Sequence, residues 1–138
     1  MIKDSNTKLN TCKKQIKNFI QQILGCQCPE EVFTDIQWEK KEQTLEINIS
    51  NQLLVYIFLK PLKDVNKKHI IDALKVGQKK RDYKHFNRFR LVIPAKQVTE
   101  QQKKYNTLIE KIFPHDNKIH LHIVEKKHLK KILKKIHL

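Results

Sequence analysis

The run Leu53-Leu-Val-Tyr-Ile-Phe-Leu59 constrains this chain more than any other feature. It is apolar at every position and rich in β-branched and aromatic residues. It is far shorter than the ~20 residues that span a membrane. A strand with one solvated face alternates apolar and polar positions, and this one does not. It therefore reads as a central strand covered on both faces, which requires a sheet with a layer of other elements on each side.

The rest of the chain supplies those elements. Thr34, Ile36 and Trp38 alternate with Asp35, Gln37 and Glu39, and Leu45, Ile47 and Ile49 alternate with Glu46, Asn48 and Ser50. These are two half-buried strands. Lys40-Lys-Glu-Gln43 and Asn51-Gln52 are the turns between them and the apolar run, so the three strands predict an antiparallel meander closed by Pro61. Before them, Leu9, Cys12, Ile16, Phe19, Ile20, Ile23 and Leu24 recur at three- and four-residue steps, the stripe of an amphipathic helix from about Asn6 to Leu24. Gly25 stands where a left-handed cap belongs. Pro29, Glu30 and Glu31 suit the first turn of a short helix.

After the meander, Asn66 suits the cap of a helix reaching about Lys80, with Ile70, Ala73, Leu74 and Gly77 on its inner face. Gly77 either permits close packing or ends the helix early. Phe89 to Ile93 is a fourth strand, stopped by Pro94. Thr99-Glu-Gln-Gln102 has the form of a capping box for a helix carrying Tyr105, Leu108, Ile109, Ile112 and Phe113. Ile119, Leu121 and Ile123 alternate with His120, His122 and Val124 in a fifth strand. Lys126 to His137 is a closing helix with Leu129, Ile132, Leu133 and Ile136 inward.

The order α-β-β-β-α-β-α-β-α predicts an α/β (α+β) fold. It is one domain over residues 1–138, with a mixed five-stranded sheet, helices on both faces, and parallel crossovers joining strands three, four and five. The order resembles that of ribonuclease H-like folds, and the leading helix that of restriction-endonuclease-like folds. Either resemblance would imply clustered carboxylates for Mg²⁺. Strand three holds no acid, strand four ends without one, and Asp35, Glu39, Glu46 and Asp72 read as solvent-facing residues. The expectation is therefore a non-enzymatic protein without a metal or other cofactor.

The 138 residues carry a net charge of +15, which suits an anionic partner and nucleic acid above all. The competing reading is codon bias, since Lys, Asn and Ile are common while Arg, Gly and Pro are scarce. The amino terminus lacks an apolar signal segment and no run is long enough to span a bilayer, so the expected address is cytoplasmic, with no membrane partner. The three cysteines are an odd number and argue against a secreted disulfide framework.

All three arginines of this lysine-rich chain fall between Arg81 and Arg90. Arginine offers a planar fork that grips phosphate or carboxylate at two points, which lysine cannot do. Arg81, Lys84, Arg88 and Arg90, interleaved with Tyr83 and Phe86, form the candidate nucleic-acid-binding loop, with the aromatic rings stacking on bases. Against it stands a structural reading in which Asp82 pairs with an arginine and pins the loop. Cys26 and Cys28 are the rival site, a redox or metal-binding thiol pair, weighed against two small apolar residues in a tight turn. His120 and His122 face one way on a strand and would bind a metal with His115 or His128, weighed against a plain edge strand with one solvated face. A protein–protein adaptor that self-associates as a homo-oligomer through the last strand is the third class.

Overall fold

The computed structural model describes residues 2–136, with side chains from Leu9 onward. Helix α1 (Ile2–Asn18) runs into a π-helical turn at Phe19–Ile23 and ends at Gly25, whose φ of +68° is the left-handed conformation expected there. A 3₁₀ turn, Glu30–Thr34, leads into β1 (Ile36–Lys40), β2 (Thr44–Ile49) and β3 (Leu53–Phe58). Then come α2 (Lys67–Tyr83), β4 (Arg88–Pro94), α3 (Val98–Ile112), β5 (Ile119–Val124) and α4 (Lys126–Ile136).

The five strands form one mixed sheet in the order β1-β2-β3-β4-β5. The first three are antiparallel, while β4 and β5 run parallel to β3, each reached through a helix. Every residue of β3 is buried. Leu53, Val55 and Ile57 pack with α1, the π-helical turn and α4, whereas Leu54, Tyr56 and Phe58 pack with α2 and α3. The apolar run therefore sits between two helical layers, as its composition requires.

Local chemistry explains most element ends. Asn66 caps α2 by accepting from the His69 amide at 2.8 Å. Gly77 lies mid-helix, directly over the Phe89 ring, so its role is close packing and not termination. Helix α2 continues three residues beyond Lys80. Lys79 to Tyr83 contains no breaker, and Arg81 is anchored from across the chain by Asp116. The chain then turns at His85, with φ +62°, so only Lys84 to Asn87 connect the helix to β4.

The capping box does not form. Helix α3 starts at Val98, after Gln97 in a left-handed conformation, and no side chain caps it. Gln102 instead reaches β5, where its Oε1 accepts from Ile123 N at 2.7 Å and its Nε2 donates to Leu121 O at 2.7 Å. A free strand edge presents unpaired amides, and Gln102 satisfies two of these groups with one side chain. A strand docking there from a second copy has to displace it. Replacing Gln102 by leucine is expected to cost about 1–2 kcal/mol of stability, the scale of a lost side-chain to backbone pair. Urea unfolding would measure the loss, and amide exchange at Ile123 should quicken with it.

Candidate anion-binding site on the outer strands

Arg81 lies on α2, whereas alternation along β4 places Arg88 and Arg90 together on one face. Phe89, Leu91 and Ile93 point toward α2 and α3, so Arg88 and Arg90 point to the α1 and α4 side with Val92. On neighbouring β5, His120 and His122 share that face with Val124. Each arginine reaches diagonally to a histidine. Arg90 Nη1 lies 2.7 Å from His122 Nε2, and Arg88 Nη1 lies 3.5 Å from His120 Nε2. A guanidinium only donates, so the closer contact fixes His122 as the neutral tautomer carrying its proton on Nδ1. Burial and then the Arg90 charge hold the His122 pKa down at about 3. Burial, then Arg90 and Arg88, depresses His120 as well.

Arg90 is the unusual member. It is 9% exposed, its Nε is buried without a hydrogen-bond partner, and no carboxylate pairs with it among the described residues. Burial and then the Arg88 charge lower its pKa. Taking a guanidinium out of water without a counter-ion costs several kcal/mol. The Nη1 corner is committed to His122, which leaves the Nε–Nη2 edge of the fork for a bidentate acceptor.

Arg81 is the contrasting case. It is 7% exposed, and its Nη1 and Nη2 each donate to Asp116 at 2.7 Å while Nε donates to Asp82 at 3.0 Å. Gln78 and the Lys118 amide complete the carboxylate. The Arg81 pair with Asp116 pulls the Asp116 pKa down to about 2. This fork is fully engaged in tying α2 to the turn before β5. The expectation that one loop presents all three arginines is corrected accordingly.

Phe86 is corrected as well. Its ring is buried in the cluster beneath α2 and α3, so it is not presented for stacking on a base. Tyr83 is 79% exposed, with Lys84 Nζ 5.5 Å from its ring centre, and both remain accessible beside the connection into β4. His120 and His122 do not face solvent in the manner of a plain edge strand, because the two arginines lie against them.

The carboxylates do not converge. Glu39 and Glu46 are cross-strand partners, but Glu46 is buried and bound by Lys80 and by Lys41, whose Nζ is 2.9 Å from Oε2. Burial opposes its charged form, and the two lysines outweigh burial, so its pKa falls. Asp35 and Asp72 are exposed. Among the described residues, no group of three or more His, Cys, Asp or Glu is placed to hold a metal ion. Cys26 and Cys28 are joined by a disulfide, so the turn is neither a pair of packed thiols nor a thiolate metal site in this form. Cys12 is buried on α1, with its Sγ donating to Lys135 O at 3.1 Å. No helix among the described residues is long and apolar enough to cross a membrane.

No protein family, no curated protein and no solved structure matches the chain.

Strand periodicity places His120 and His122 on one face, but the partners the structure gives them are Arg88 and Arg90, not a metal shared with His115 or His128. Their spacing is that of Arg88 and Arg90, and the β4–β5 register sets the two pairs side by side on one face. Strand order and register were the missing information.

Proposed function

We propose that the protein is a small non-enzymatic module that binds an anionic partner, nucleic acid in the first place, through Arg88 and Arg90 framed by His120 and His122. The observation that carries this reading is Arg90, buried with an unpaired Nε and no carboxylate beside it among the described residues. A phosphate oxygen supplies both the missing charge and the missing acceptor. Arg88, exposed two residues earlier, leads an anion toward it. Tyr83 and Lys84 are exposed at the end of α2, which packs on the other face of the sheet, so they stand outside the proposed contact. The net charge of +15 raises the rate of encounter with any polyanion. Because the Arg90 Nε is shielded from water, binding there requires a local opening of the surrounding side chains.

Fluorescence anisotropy with single-stranded RNA and duplex DNA across a salt series tests the reading. The wild type should show a steep fall of affinity with salt. Arg88→Lys/Arg90→Lys keeps the net charge and loses the forks, so its affinity should drop about tenfold or more. Thermal unfolding of the same sample confirms that the variant is folded. Equal binding by both proteins, seen only at low salt, would make the charge a non-specific feature and end the proposal.

A further inference from the structure

Cys26 and Cys28 are bonded across a single residue, Gln27. A disulfide steadies a fold largely by removing freedom from the unfolded chain, and that effect grows with the length of chain enclosed. A ring closed over one residue removes very little, so this bond is poorly suited to be a staple. The folded chain also holds both cysteines by other means. Cys26 N donates to Ile20 O at 3.1 Å, and the Cys26 side chain is buried in the core beneath α1. On the far side, Val32 N donates to Pro29 O at 3.0 Å, and Glu30 is bound by Lys17 and by Gln21. Opening the sulfur bond therefore leaves two thiols side by side on a turn that stays in place. That proximity favours closing again.

We propose that Cys26 and Cys28 form a reversible thiol–disulfide couple that exchanges electrons with a dithiol partner. Cys28 is the less buried of the two and is the sulfur attacked. A donor thiolate bonds to the Cys28 sulfur, the Cys26–Cys28 bond breaks, and Cys26 leaves as a thiolate. The donor's second thiolate then attacks the donor sulfur of the mixed disulfide and releases Cys28. Two electrons pass to the pair, the donor ends as a disulfide, and its two protons finish on Cys26 and Cys28. Cys12, on α1 and bonded to the α4 backbone, takes no part. The couple is independent of the anion site, because no step uses the arginines.

The test uses the wild-type chain, equilibrated with mixtures of reduced and oxidised dithiothreitol. Samples are quenched in acid, denatured, alkylated and weighed. Of the three cysteines, the reduced protein should alkylate all three and the oxidised protein only Cys12, with both remaining thiols lost and regained together. The circular dichroism spectrum should not change across the transition. Cys28→Ser should hold the count at two under every condition. Three thiols surviving mild oxidation would overturn the proposal, as would oxidation that links one chain to another. A bond that yields to dithiothreitol only after the chain is denatured would overturn it too.

Discussion

Replacing Gly77 by alanine should destabilise the protein by about 2 kcal/mol or more, although alanine is the better helix former. The propensity gain is about 1 kcal/mol. Against it, a Cβ at position 77 would lie 2.1 Å from Phe89 Cζ and within 2.4 Å of two further ring carbons. Phe89 is fully buried, and Tyr56 meets it edge-on with ring centres 5.0 Å apart, so the ring has little room to withdraw. Overpacking of this kind costs typically 1–3 kcal/mol, and this overlap belongs at the upper end or beyond. Val76→Ala, at an exposed neighbouring position of the same helix, should leave stability within about 0.5 kcal/mol. Phe89→Leu in the Gly77→Ala background should cost less than the sum of the single changes, because the smaller side chain vacates the space the new methyl needs. Urea unfolding of wild type and the four variants decides the matter, and a Gly77→Ala variant as stable as wild type would refute it.

The largest electrostatic effect is expected at Asp116. Asp116→Asn leaves the Arg81 guanidinium buried with only the exposed Asp82 as a counter-charge, and should cost about 3–5 kcal/mol. Arg81→Met/Asp116→Leu removes both charges and should recover much of that loss, since a missing pair is less harmful than half of one. The same pair sets an acid limit. The Asp116 pKa is held at about 2 by Arg81, below its ordinary value of 3.8. A depressed carboxylate contributes stability above its unfolded pKa and loses it as pH falls through the folded one. The contribution of about 2 kcal/mol should thus be present above pH ~4 and decline toward pH ~2. Stability measured from pH 6 to 2 should fall less steeply in Asp116→Asn than in wild type.

Several elements were readable from local pattern. Strand β3 declared itself through a run with no polar side, and β1, β2 and β5 through alternation. The Asn66 cap and the Gly25 turn followed from residue chemistry at element ends. The misreadings share one cause. Gln102 looked like the partner of a helix start, yet it binds the edge of β5, which lies 19 and 21 residues away. Local pattern ends α2 at about Lys80, because Arg81 to Tyr83 carries no apolar stripe. Asp116, 35 residues on, holds Arg81 in the helix. The Phe86 ring turns into the core, in the buried cluster that also holds Leu54, Tyr56 and Phe89.

The candidate site divides in the same way. Three arginines gathered in ten residues of a lysine-rich chain are visible in the sequence. It does not show that the fork of Arg81 is closed on a carboxylate while the Nε of Arg90 is left without a partner. Sequence by itself determined the element types, the two-sided burial of the sheet and the presence of Arg88 and Arg90 on one face, because these depend on periodicity and residue chemistry alone. Tertiary structure decided which charge found a partner. An ion pair is set by the register of strands and the packing of a helix against a distant turn, and those distances are not written in any local stretch of the chain.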